Sequence, residues 1–171
     1  RASLGAAATS PDQLTHAQAH GTGTGLGDPM EIGSLAGVVL RPRSSDVPPL
    51  SVTSIKANIG HTEPAAGFTG LLALAEGLSR KSAAPNAQLR VLNPHVHANL
   101  PSATGALPLG VASLSTSAAG AAAIGGVSSF GFSGTIAHAV LCASAAPPLA
   151  TASAAPQVSY PRRRFRRREV P

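Results

Sequence analysis

Tryptophan is absent from the 171-residue chain, and one tyrosine and four phenylalanines bring aromatics to only 3%. Large anchoring side chains are therefore scarce. A core must instead be closed by alanine, glycine and small aliphatic residues that let helices and strands approach closely. A single cysteine, Cys142, excludes an internal disulfide and fits a reducing compartment. No apolar run nears the roughly 20 residues that cross a bilayer, which argues against a spanning helix. Residues 1–8 hold no charged stretch followed by a sustained apolar one, so no signal peptide is visible. Position 1 is arginine rather than methionine, as expected of a piece cut from a longer chain.

Acidic residues are also few, seven against thirteen lysines and arginines, for a net charge of +6. That excess is local. Arg162, Arg163, Arg164, Arg166, Arg167 and Arg168 stand beside Glu169 in the last ten residues, and without them the chain carries +1. The basicity belongs to a tail and not to a folded surface.

What is present reads as alternating elements. Residues 14–19 form an expected strand that enters a glycine-rich turn over residues 21–27. Asp28 as N-cap, Pro29 in the first turn and Glu31 as an acidic capping box predict a helix. Its stripe is Ile32, Leu35, Ala36 and Val39, and it ends before Pro42. Val52 and Ile55 predict a strand ending near Lys56. After a polar turn over residues 58–64, Phe68, Leu71, Leu72, Ala75 and Leu78 predict the apolar face of a second helix, closed by Arg80 and Lys81. Residues 107–114, 121–130 and 135–142 read as strands. The order implies an α/β layered domain over residues 1–144. The Ala, Pro and Ser stretch from 145 leads into the arginine tail as a linker, residues 145–171.

Two histidines stand at strand-to-helix corners, where open α/β sheets place ligands. His20 lies in Ala-His-Gly-Thr-Gly-Thr-Gly, whose glycines admit a close ligand and whose Thr22 and Thr24 hydroxyls can bond one. A metal pair with His16 has the right i, i+4 spacing but no intervening glutamate and no helical flank. A dinucleotide loop fails because Asp28 stands where the third glycine is needed. A satisfied structural histidine remains open. His61 lies in Ile-Gly-His-Thr-Glu, so Lys56, His61 and Glu63 gather a cation, an imidazole and a carboxylate within eight residues. A hydrogen-bonded surface turn is the bland alternative for Lys56 and Glu63.

Together these segments carry a resemblance. Residues 20–29, HGTGTGLGDP, resemble the first histidine motif of β-ketoacyl synthases (ketosynthases) of modular type I polyketide synthases. Residues 56–67, KANIGHTEPAAG, resemble the second, and residues 126–138, GVSSFGFSGTIAH, the glycine-rich loop and last strand. Residues 85–94, ending in Asn93-Pro94, resemble the segment between them. The motifs occur in family order across residues 13–144. The resemblance implies the C-terminal half of a thiolase-like layered fold and a decarboxylative Claisen condensation.

In that scheme His20 and His61 stabilise the enolate, Lys56 anchors the site, and Thr22 and Thr24 hold the phosphopantetheine arm. The Phe132 N–H completes an oxyanion hole while its ring gates the acyl pocket. No cofactor or metal is bound directly. Substrates arrive on the phosphopantetheine of an acyl carrier protein, and the expected assembly is a homodimer in the cytoplasm, with a plastid as the alternative. Gln18 and Ile136 depart from the family's usual glutamate and asparagine. The nucleophilic Cys-Ser-Ser motif belongs to an N-terminal half that this chain does not contain, so the chain alone is expected to be inactive.

The remaining candidates carry plainer expectations. Cys142 reads as a small buried hydrophobe, His138 as a packed or edge histidine, and His95 and His97 as loop residues without chemistry. Two rival functions stay open. One is a truncated or degenerate ketosynthase that only docks carrier proteins or partners. The other, disfavoured with only Tyr160 and Phe165 available for stacking, is a basic-tail nucleic-acid binder.

Overall fold

The computed structural model describes residues 1–116 and 120–143. In chain order the elements are α1 (Ala2–Ala6), β1 (Leu14–Gln18), α2 (Gly27–Leu35), β2 (Leu50–Thr53), α3 (Lys56–Ile59) and α4 (Ala66–Arg80). Next come β3 (Ser82–Ala83), α5 (Pro94–Asn99), β4 (Gly105–Ala106), β5 (Ala112–Ser113), β6 (Ile124–Phe130) and β7 (Ile136–Cys142). The main sheet runs β4-β2-β1-β6-β7, with β7 alone antiparallel. A small antiparallel pair, β3 with β5, sits apart from it.

Helices cover both faces. Ile32, Ala36, Val39 and Leu40 bury against Leu14, Leu50 and Val52, as the α2 stripe predicts. That helix runs on past Leu35 through a π-helical turn (Ala36–Leu40) in which Arg41 N–H donates to the Ala36 carbonyl. On the opposite face, α4 packs Leu74 and Leu78 against Val127. The chain passes from β1 through α2 on one face to β2, then through α4 on the other face towards β6. β1 is therefore the point at which strand order reverses. Open α/β sheets hold ligands outside the strand ends at such a point.

Several sequence expectations give way here. The buried face of α4 is Ala66, Gly70, Leu74 and Leu78, while Phe68 is 64% and Leu72 53% exposed. The inner stripe uses glycine because the helix lies close to the sheet. A Cβ on Gly77 would stand 2.9 Å from the Ser82 carbonyl oxygen, and one on Gly70 would be 3.3 Å from Val127 Cγ2. A search for large apolar residues passes over such positions. β2 ends at Thr53, and Lys56 opens α3 instead of closing a strand. The strand expected over residues 107–114 is reduced to the two-residue β5. His95 and His97 lie in α5, which Asn93 caps by accepting the His95 N–H at 2.9 Å.

Cys142 is exposed, since among the described residues β7 is an edge strand paired with β6 alone. His138, on the same strand, is exposed too and lies 3.0 Å from Ser128 Oγ. The linker and tail expected from residue 145 lie outside the described residues. Among the described residues, no helix is long and apolar enough to cross a membrane.

Candidate functional site

His20 lies just past the end of β1 and is 8% exposed. Its main chain is held from both sides. The Glu31 carboxylate accepts the N–H of His20 at 2.7 Å and that of Gly21 at 2.9 Å. On the carbonyl side, Lys56 Nζ donates to His20 O at 2.5 Å, and Ser54 Oγ lies 3.4 Å from His20 O and 3.3 Å from Gly21 O. Gly21 adopts φ +47°, and a Cβ there would fall 2.6 Å from Ser54 Cβ, so no other residue fits.

The acidic residues expected to cap α2 serve this loop instead. Glu31 takes the two N–H groups above, Asp28 accepts the Gly23 N–H at 3.1 Å, and Thr24 Oγ1 accepts the Gly27 N–H at 3.1 Å. The helix itself starts at Gly27, behind Leu26, without a side-chain cap. Burial pushes the Glu31 carboxyl up, against the pull of its two N–H partners. Burial likewise lowers Lys56, while Glu31 and Asp28 oppose that shift.

The two imidazoles meet edge to face, with ring centroids 5.8 Å apart and planes at 88°. Phe130, at the end of β6, backs His20 at 5.3 Å. Each ring has one nitrogen engaged. His61 Nδ1 accepts the Glu63 N–H at 2.8 Å, and the Lys56 ammonium, which can only donate, lies 3.4 Å from His20 Nδ1. A donor facing each Nδ1 leaves that nitrogen as acceptor and assigns the ring N–H to Nε2. Burial, and after it the Lys56 and His61 charges, lowers the His20 pKa and so favours its neutral form. The arrangement therefore offers two imidazole N–H donors side by side, which suits an oxygen that gains negative charge during reaction.

Beside this pair lies a cavity of about 530 Å³. Thr22, Lys56 and His61 stand on its wall, and Leu89, Leu92 and Val96 give it an apolar side. The Thr22 and Thr24 hydroxyls are 3.4 Å apart. Phe132 sits in the tight turn between β6 and β7, closed by Gly131 N–H to Thr135 O at 2.7 Å, and its ring is fully exposed. The structure thus brings His20, His61, Lys56 and Thr22 together and leaves the ring of Phe132 in solvent.

Three contributors are not among the site residues expected from sequence: Glu31, which anchors the loop, Ser54, and Asn86, whose Oδ1 accepts the Ser54 N–H at 3.0 Å. Glu31 had a signal in its carboxylate just past a glycine loop, but the capping pattern absorbed it.

Two other titratable side chains stand apart. His16 is buried, its Nε2 bonded to Thr53 Oγ1 at 2.9 Å, and Thr53 in turn donates to Gln18 Oε1 at 2.9 Å. Burial lowers the pKa of His16 to about 4. Cys142 pairs with Ile124 at the start of β6, whereas Phe130 ends that strand beside His20. At about 3.3 Å per residue the two ends are about 20 Å apart, so Cys142 cannot serve the histidine pair. Among the described residues no cluster of three or more histidine, cysteine or acidic side chains is arranged to hold a metal ion.

Comparison with known proteins agrees with this geometry. Residues 1–90 match the family model described as the β-ketoacyl synthase C-terminal domain. The chain is 42% identical over 147 residues, 82% of its length, to polyketide synthase ThaG of Burkholderia thailandensis. It is 40% identical over 136 residues, 77% of its length, to the highly reducing polyketide synthase azaB of Aspergillus niger. It spans 3% and 5% of those two proteins. Among solved structures, the oxazolomycin ketosynthase domain of Streptomyces albus superposes with a TM-score of 0.75 at 28% identity. That match covers 86% of this chain and 26% of the other. Ketosynthase twelve of the bacillaene polyketide synthase of Bacillus amyloliquefaciens gives 0.71 at 31% identity, covering 85% and 25%. A mixed sheet shared with ketosynthase domains and a sequence match that takes in both histidine motifs lead to one assignment: the chain belongs to the β-ketoacyl synthase family.

Proposed function

We propose that residues 1–144 form the histidine-bearing part of a condensing site that joins a malonyl-type extender to an acyl thioester. The cysteine that carries the acyl group comes from outside residues 1–171. The extender, on the phosphopantetheine of an acyl carrier protein, loses carbon dioxide by cleavage of its carboxyl carbon bond. The electron pair left behind passes into the thioester carbonyl as an enolate, whose oxygen is held by the Nε2–H groups of His20 and His61. The enolate carbon then attacks the acyl thioester, forming the new carbon–carbon bond and expelling the cysteine thiolate. Lys56 fixes His20 by its bonds to the carbonyl and Nδ1 of that residue. Thr22 and Thr24 hold the pantetheine arm, and the Phe132 N–H supports the oxyanion formed at the acyl carbonyl, its ring closing over the acyl pocket once substrate enters.

The observation that carries this reading is the pair of imidazoles set edge to face, each with Nδ1 engaged, which leaves Nε2 of each ring to donate. The partners are the acyl carrier protein, the nucleophile-bearing half and a second copy in a homodimer. Residues 145–171 act as a linker to neighbouring domains, and the single cysteine suits a reducing setting, the cytoplasm or a plastid. To test it, the chain is combined with the nucleophile-bearing half, an acyl thioester and malonyl carrier protein. A ketoacyl product with matching carbon dioxide release is expected. Absence of product from a mixture whose cysteine is shown to be acylated would overturn the proposal.

A further inference from the structure

Asn86 belongs to no strand or helix, yet it is 8% exposed and every polar atom of its side chain is engaged. Its Oδ1 accepts the Ser54 N–H at 3.0 Å, and its Nδ2 donates to the carbonyls of Val52 at 3.1 Å and Pro108 at 3.3 Å. One donor and two carbonyls fix the amide in one orientation. Its own N–H donates to Pro108 O at 2.8 Å. β4 pairs with β2 at Leu50 and Ser51, so among the described residues the later part of β2 has no strand on that side. Asn86 stands in for one, pinning the chain where β2 ends.

The histidine site begins directly at that pin. Ser54 Oγ approaches the carbonyls of His20 and Gly21, and two residues on, Lys56 bonds the carbonyl of His20 and approaches Nδ1. We propose that Asn86 is a positioning residue for the histidine pair: by fixing the Ser54 main chain it sets Ser54 and Lys56 against His20 and so orients the His20 ring. This rests on the assignment of His20 to the enolate. A buried amide that merely satisfies backbone groups would cost stability when removed but would leave His20 unchanged. A positioning residue moves His20 as well.

The groups facing His20 are Lys56 at Nδ1, the edge of His61, the ring of Phe130, and Glu31 on its main-chain N–H. Release of Lys56 therefore has a defined consequence, because the lysine charge is among the causes that hold His20 low. The test tracks the His20 ring by NMR titration of histidine-labelled protein, assembled with its nucleophile-bearing half, alongside thermal melting. Asn86→Ala is expected to move the His20 pKa upward and to lower the melting temperature. Ser54→Ala should move His20 in the same direction with a smaller loss of stability. Leu78→Ala, in the core on the other side of the sheet, should lower the melting temperature and leave His20 alone.

An unchanged His20 titration in Asn86→Ala overturns the proposal. Should that variant not fold, an unchanged titration in Ser54→Ala does so. The titration needs no turnover. If carbon dioxide release survives His20→Ala, the enolate assignment falls while the coupling of Asn86 to His20 is still read directly.

Discussion

The carboxylate of Glu31 accepts the main-chain N–H of His20 at 2.7 Å, and a second oxygen of the same group accepts that of Gly21. A carboxylate eleven residues away thus sets the backbone from which the His20 ring projects. Glu31→Gln retains one acceptor but turns an N–H₂ towards a second donor. Hydrogen bonds to charged groups contribute about 1.5–3 kcal/mol each, so a loss of that order in unfolding free energy is expected from urea titration of the chain assembled with its nucleophile-bearing half. A variant as stable as the parent would show that the carboxylate does not anchor the loop.

Gly77 opposes two effects. Alanine is the better helix former by up to about 1 kcal/mol, but a Cβ there would sit 2.9 Å from a main-chain oxygen and 3.3 Å from the His16 ring. Overpacking of this kind costs about 1–3 kcal/mol, so the clash should win. Gly77→Ala is expected to lower the urea midpoint of the chain assembled with its nucleophile-bearing half. A raised midpoint would mean that α4 lies further from the sheet.

His16 should make the fold acid-sensitive. Its pKa is lowered from 6.5 to about 4 in the folded state by burial. Between those values the unfolded chain takes up a proton that the folded chain refuses. Stability is full above about 6.5 and falls as pH drops towards 4, by about 3 kcal/mol in all. Unfolding free energies at pH 7 and pH 4.5, measured with the nucleophile-bearing half present, should therefore converge in His16→Gln relative to the parent. Equal slopes in both proteins would place the acid sensitivity elsewhere.

Large apolar side chains stand exposed on α4 and at the start of α2: Leu26 at 81%, Met30 at 73%, Phe68 at 64% and Leu72 at 53%. Burying a side chain of this size stabilises by about 1.5–3 kcal/mol, and a domain typically has about 5–15 kcal/mol in total. Residues 1–171 expressed alone should bind an apolar dye and melt without a sharp transition, and the nucleophile-bearing half should abolish both. A sharp transition without dye binding would show a self-sufficient domain and favour the docking role.

Periodicity and turn chemistry made much of this fold legible. The 3.6-residue stripe from Ile32 to Val39 survives because large side chains mark it. The stripe of α4 misleads because Gly70 and Gly77, the positions that meet the sheet, carry no side chain to count. His20, His61 and Lys56 were readable as motifs at strand ends, and the structure gathers them. Glu31, Ser54 and Asn86 were not readable as site residues, since each works through the backbone of a distant residue. Cys142 reads as buried by residue type, but its place on an edge strand decides otherwise.

The central claim is that the Nε2–H groups of His20 and His61 hold the enolate, a charge that is absent while the cysteine is being acylated. It is tested most directly by measuring carbon dioxide release and radiolabelled acyl loading separately in His20→Ala and His61→Ala, each in the assembled condensing enzyme. Loss of one such donor typically costs about 10²–10³ in rate. Each variant is expected to slow carbon dioxide release by that order and to load acyl groups almost as the parent does. Release at the parental rate in both variants would contradict the claim.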